Sequence, residues 1–129
     1  MTEIVIIRHG ETEWNQTGRF QGHSDVPLSE MGRAQAEALG RNLMLDHVDA
    51  IYASDLIRAM DTAAPLATRF GLSITPDPLL RELHFGAWEG RTFSDVNAES
   101  PNAMKRFYND PERVEIPDSE PFPDFQKRV

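Results

Sequence analysis

The sequence predicts an α/β domain built on a mostly parallel sheet, and three observations point there. Ile4 to Ile7 form an unbroken run of β-branched aliphatic residues, as in a parallel strand covered on both faces. Stretches of strand character (residues 4–7, 48–54 and 72–75) alternate with stretches in which small and apolar residues recur at helical spacing. Gly71, Pro76 and Pro78 punctuate the later junctions as turn residues do.

Taken in order, the first strand runs into RHGETEWN, residues 8–15, which therefore sits at that strand's carboxyl end. A polar, glycine-bearing loop, QTGRFQGHSDVPL, follows. Ser29 is an N-cap, and Gly32, Ala36, Leu39, Gly40 and Leu43 mark one face of the helix it starts. VDAIYAS reads as a second strand. A second long helix begins near Leu56, with Ala59, Met60, Ala63, Ala67 and Phe70 as its core stripe, a bend at Pro65 and a stop at Gly71. LSIT is a short third strand, and RELHFGAWEG a long loop. Thr92 with Asp95 has the form of a capping box, and Ser100-Pro101 opens a helix to about Tyr108. Residues 110–124 are acidic and hold four prolines, which suggests a solvated connection before a helix in DFQKRV.

Composition narrows the function. The chain has 129 residues, 40% hydrophobic and 26% charged, the profile of one globular domain with one core. A net charge of −8 without a basic run opposes nucleic acid and anionic membranes as partners, so any anionic ligand must be captured locally. There is no cysteine, which excludes thiolate metal sites and cysteine nucleophiles and suits the cytoplasm. No apolar run is long enough to span a bilayer.

Ligands of open α/β sheets bind beyond the carboxyl ends of the strands. The expected topology brings Arg8 and His9, Arg58 and Glu82 to that edge. Two guanidiniums can grip a phosphoryl group by charge-assisted hydrogen bonds of about 1.5–3 kcal/mol each. A neutral imidazole between them is a nucleophile toward phosphorus if its other nitrogen is held as a donor by a backbone carbonyl, such as that of Gly10. Gly10 would also let phosphate approach the backbone. Glu82, with a pKa raised by burial, would protonate the leaving oxygen. This chemistry needs no metal or cofactor.

RHGETEWN, the Gln21-Gly22 pair, PLSEMGRAQA, SDLIRAMDTA and LRELHFGAWEG resemble, in order and over almost the whole chain, the signatures of the histidine phosphatase superfamily, the phosphoglycerate-mutase-like proteins. The resemblance implies a three-layer sandwich around a mostly parallel sheet. It implies that His9 is phosphorylated, that Glu82 is the proton donor, and that Arg8 and Arg58 bind the phosphate. Gly10, Glu11, Asn15, Gln21 and Gly22 would line the phosphate or the substrate beside it, with Thr12, Glu13, His84 and Phe85 at the rim. The family's second pocket histidine, on a later strand, has no counterpart here. The expectation is therefore a domain incomplete at its C-terminal side, whose first strand lacks a neighbour and exposes an apolar edge.

The leading functional reading is a phosphomonoesterase acting on a small phosphorylated metabolite, because HFGAWEG resembles phosphatase branches such as α-ribazole phosphatase and the broad-specificity phosphatases. A cofactor-dependent phosphoglycerate mutase uses the same site, and an inactive phosphate-binding module is a third reading. A homodimer stays open. Several residues also have plain structural readings. His23 and His47 read as exposed loop residues, Glu82 as the surface ion-pair partner of Arg81, and Trp14 and Trp88 as rim or core.

Overall fold

The computed structural model describes all residues, 1–129. Its elements in order are α1 (Glu13–Gln16), α2 (Glu30–Asn42), β1 (Ile51–Ala53), α3 (Ile57–Phe70), β2 (Ile74–Pro76), α4 (Phe93–Glu99), α5 (Pro101–Asn109) and α6 (Phe122–Arg128). The α/β class holds, and β1 and β2 pair in parallel with Ile51 opposite Ile74 and α3 as the crossover between them.

The helix boundaries follow local chemistry. Ser29 accepts the Gly32 N–H and starts α2, and Thr92 accepts the Asp95 N–H and starts α4. Pro101 occupies the first turn of α5, where its missing N–H costs nothing. Leu56 offers no capping side chain, so the start of α3 is capped from a distance: Asp25 Oδ1 accepts the Ile57 N–H at 2.7 Å. Gly71 ends α3 in the left-handed conformation, φ 64°, which favours glycine.

Three expectations are corrected. Ile4–Ile7 is not a covered strand: no segment of this chain pairs with it, and Ile4 and Ile6 are 79% and 91% exposed. Together these residues form an exposed apolar edge, as expected. In α3 the buried face is Arg58, Thr62, Leu66 and Ala67, while Ala59, Met60, Ala63 and Phe70 are only half-buried. The helix turns a polar row inward because the site consumes it. The acidic segment 110–124 is not merely a solvated connection either. Ile116 is buried, and the Pro117 carbonyl accepts the Ala87 N–H at 2.8 Å.

The main core lies beneath RELHFGAWEG. Phe20, Leu83, Phe85, Trp88, Val96, Met104 and Ile116 form one buried cluster, with Phe107, Phe122 and Phe125 packed around it. Phe20 stands edge-on to Phe93 at 4.4 Å and lies 5.0 Å from Phe85, contacts worth about 0.5–1.5 kcal/mol each beyond area burial. Trp88 is core, whereas half-buried Trp14 lies over Gly90. This cluster fixes the loop that carries Glu82. No helix is long and apolar enough to cross a membrane.

Candidate active site

The turn after Ile7 is built so that His9 presents one defined nitrogen. Nδ1 lies 2.7 Å from the Gly10 carbonyl, which can only accept, so Nδ1 carries the hydrogen and Nε2 keeps a free lone pair. The Gly10 N–H donates to Thr62 Oγ1 at 2.9 Å, and that hydroxyl donates to the Arg58 carbonyl at 2.6 Å. A single threonine thus couples the histidine turn to the helix turn that holds Arg58.

Packing by itself requires glycine at position 10. A Cβ there would stand 2.7 Å from the Gly32 carbonyl oxygen, and a Cβ on Gly32 would stand 2.0 Å from that of Glu11. The missing side chains admit helix α2 to the back of the turn.

Several residues expected to line the substrate are occupied in folding the motif. Thr12 is fully buried, caps α1 reciprocally with Asn15, and donates to Gln21 Oε1 at 2.8 Å. Glu11 accepts from Ser29 Oγ at 2.9 Å and Gln16 Nε2 at 2.8 Å, and its N–H donates to Gln35. The side chain of Phe85 belongs to the core. Glu13 is exposed on α1.

Arg58 is 2% exposed and directed by backbone. Nη1 donates to the Ser24 carbonyl at 2.8 Å and Nη2 to the Gly22 carbonyl at 2.7 Å. Nη2 also approaches Glu82 Oε2 at 3.4 Å. Its remaining donors have no partner in the protein. Gly22 adopts φ 55°, and a Cβ there would meet Glu89 at 2.2 Å. Glycine therefore lets the loop bend back over Arg58. Arg8 is exposed and its side chain makes no hydrogen bond, yet its charge reaches both His9 and Glu82.

These surroundings tune both titrating groups. Desolvation pulls the His9 pKa below 6.5; the bond to Gly10 opposes this, and the charges of Arg58 and Arg8 add to it. The imidazole is neutral at neutral pH. Desolvation raises the Glu82 carboxyl above 4.5 although its side chain is 44% exposed, and the charge and hydrogen bond of Arg58, then the charge of Arg8, pull the other way. Arg81 does not pair with Glu82. It forms a two-pronged pair with Asp55, at 2.6 and 2.5 Å.

The sequence reading missed the supports of Glu82. His23 is not an idle loop residue: Nε2 donates to the Glu82 carbonyl at 3.0 Å, and its ring lies 4.8 Å from that of half-buried His84. Glu89 accepts from the His23 N–H at 2.9 Å, Ser24 Oγ at 2.5 Å and the Phe85 N–H at 3.1 Å, which joins the Arg58 loop to the Glu82 loop. Arg128 also reaches the Glu82 carbonyl. No local sequence pattern marks these contacts of His23 and Ser24, which join positions 59 to 66 residues apart. His47 pairs with Asp49 in solvent. No group of three or more His, Cys, Asp or Glu side chains is arranged to hold a metal ion.

Known proteins resemble this chain in sequence and fold. The family model of the histidine phosphatase superfamily, branch 1, matches residues 4–129. Phosphoserine phosphatase 1 of Hydrogenobacter thermophilus is 34% identical over all of this chain, which covers 61% of that protein. The "Probable phosphoglycerate mutase GpmB" of Yersinia pestis is 36% identical over all of this chain, which covers 60% of it. The chain thus spans about 60% of the length of these curated relatives. Among solved structures, mycobacterial glucosyl-3-phosphoglycerate phosphatase with VO3 superposes with a TM-score of 0.86 at 38% identity, over 93% of this chain and 59% of that one. The fold is thus phosphoglycerate-mutase-like, and the chain-wide match places this chain in the histidine phosphatase superfamily, branch 1.

Proposed function

We propose that this chain supplies the phosphoryl-transfer site of a phosphomonoesterase acting on small phosphorylated metabolites. The observation that carries the reading is the His9 Nδ1 bond to the Gly10 carbonyl, which leaves Nε2 unprotonated, while the Arg58 charge reaches both His9 and a Glu82 carboxyl whose pKa is raised. Arg8 and the free donors of Arg58 bind the phosphoryl oxygens. His9 Nε2 attacks phosphorus, the P–O ester bond breaks, and the leaving oxygen takes the proton of Glu82. Water then attacks the phosphohistidine, Glu82 takes the water's proton, and phosphate leaves with His9 neutral again. The charge that builds on the phosphoryl oxygens is met by the guanidiniums, so the scheme needs no metal.

Two of the similar proteins carry phosphatase names, which supports hydrolysis. The GpmB similarity supports a second reading in which the phosphoryl group returns to another oxygen of the product. Free-phosphate release, measured with and without a bisphosphoglycerate primer, separates them. Isomerisation of 3-phosphoglycerate without phosphate release refutes hydrolysis. His9→Ala is expected to abolish the acid-labile, base-stable phosphoenzyme formed from labelled substrate, and label that persists in this variant moves the nucleophile elsewhere.

A further inference from the structure

Arg128 lies on α6, far in sequence from the residues of the scheme, yet it spends three of its five donors on the segment that leads to Glu82 and the other two on Glu120. Nη1 donates to the carbonyls of Leu79 at 2.6 Å and Arg81 at 2.8 Å. Nη2 donates to the Glu82 carbonyl at 3.0 Å and to Glu120 Oε2 at 2.8 Å, and Nε donates to Glu120 Oε1 at 2.5 Å. A guanidinium has five N–H donors in a rigid plane, and all five are used. Its carbon lies 5.0 Å over the Phe125 ring, which packs on the main core. The guanidinium is therefore fixed from below while it grips three carbonyls above.

Glu120 completes the hold. Its Oε2 accepts the His84 N–H at 3.3 Å, and its own N–H donates to the His84 carbonyl at 3.1 Å. Arg128 thus fixes the backbone up to Glu82 and Glu120 fixes it just after. His23 donates to the same Glu82 carbonyl from the Arg58 loop. The backbone of Glu82 is pinned on three sides, while its carboxyl makes one long contact at 3.4 Å and is free to meet a substrate.

We propose that Arg128, braced by Glu120, is a positioning residue for Glu82: it sets where the carboxyl stands relative to the leaving oxygen without touching substrate. The proposal rests on the reading of Glu82 as proton donor. A staple that only stabilised the fold would affect all substrates alike, whereas a residue that acts through the acid matters only when the leaving group needs a proton.

The test compares kcat/KM for an alkyl phosphate, whose alkoxide leaves poorly, with p-nitrophenyl phosphate, whose phenolate leaves unaided. This parameter stops at phosphohistidine formation, so slow hydrolysis of the intermediate does not enter. Glu82→Gln is the reference. Arg128→Lys keeps the charge and loses the planar fork. It is expected to lose at least about tenfold on the alkyl ester and stay within about threefold on the aryl ester, the general-acid range being about 10²–10⁴-fold. Equal losses on both esters, or none, in Arg128→Lys while Glu82→Gln discriminates overturn the positioning role and leave the acid reading intact. Equal losses in Glu82→Gln overturn the acid reading itself. Glu120→Gln, which breaks one prong of the brace, is expected to show a smaller loss of the same selectivity and replaces Arg128→Lys if that variant does not fold. Carboxyl-carbon NMR reads the same contact without turnover. The Glu82 titration should move down toward the ordinary glutamate range in Arg128→Lys, and an unchanged titration overturns the proposal where neither ester is hydrolysed.

Discussion

Replacing Arg58 by methionine separates its structural and ligand-binding roles. The variant keeps the length of the buried side chain and removes its donors. The Gly22 carbonyl, buried and bonded at 2.7 Å, would be orphaned, and a buried acceptor left without a partner costs about 1–3 kcal/mol. The Ser24 carbonyl, bonded at 2.8 Å in a half-buried residue, adds an amount near the low end of that range of about 1–3 kcal/mol. The contact with Glu82 is long and the carboxyl is 44% exposed, so solvent screening leaves it no share. Relief of the guanidinium's own desolvation offsets part of the loss, and about 2 kcal/mol remains. Urea unfolding followed by the fluorescence of buried Trp88 should show the midpoint falling by about 1 M. Binding of inorganic phosphate, measured by calorimetry, should weaken by at least about tenfold, the worth of one charge-assisted hydrogen bond. Arg58→Lys should lie between, since one ammonium cannot serve both carbonyls and a phosphate in the same plane. A midpoint within about 0.2 M of the unaltered protein would show that these carbonyls are satisfied without Arg58, and would refute the reasoning.

The remaining predictions concern the turn, its edge and its protons. Gly32→Ala puts a Cβ 2.0 Å from the Glu11 carbonyl oxygen, a backbone atom with little room to yield, and should cost about 1–3 kcal/mol and lower the melting temperature measurably. An unchanged melt would mean that α2 stands farther from the turn. Ile4→Lys with Ile6→Lys should change stability by less than about 0.5 kcal/mol, because both side chains are exposed, while reducing self-association in sedimentation velocity. A large loss of stability would mean these side chains are buried in solution. The lowered pKa of His9 means that the unfolded chain takes that proton more readily, so this residue's contribution is lost as pH falls below 6.5. His9→Ala should therefore gain in urea midpoint relative to the unaltered protein between pH 7.5 and 5.5. Glu82 has the opposite sign, its contribution present below about pH 4.5 and lost as pH rises through its raised pKa. In kcat/KM the neutral His9 gives the rising limb and protonated Glu82 the falling one, and Glu82→Gln should remove the falling limb alone.

Local chemistry was legible in the sequence where one residue type answers one backbone need. Ser29, Thr92, Pro101 and Gly71 mark helix ends where they were expected. The His9 tautomer was also legible, because the carbonyl that fixes it belongs to the next residue. Burial of polar side chains was not. Periodicity ranks residues by apolarity, so it chose Ala59, Met60 and Ala63 as the core stripe of α3 and passed over Arg58 and Thr62, whose partners lie 34 to 52 residues away. The hold of Arg128 on residues 79–82 spans more than 45 positions and leaves no periodic trace. At Ile4–Ile7 the exposed apolar edge was legible and the strand was not: composition reports a residue's preference for a sheet, whereas a strand needs a paired neighbour, and none pairs here.

That unpaired edge sets the two arginines apart thermodynamically. Arg58 is immobilised before any anion arrives, its rotamers already lost to the Gly22 and Ser24 carbonyls. Arg8 sits next to the open segment with no hydrogen bond of its own, and ordering its side chain costs about 2 kcal/mol of rotamer entropy on binding. An anion captured between them meets a preset half and a half assembled around it. On the proposed reading, binding therefore carries a side-chain ordering entropy on the Arg8 side alone.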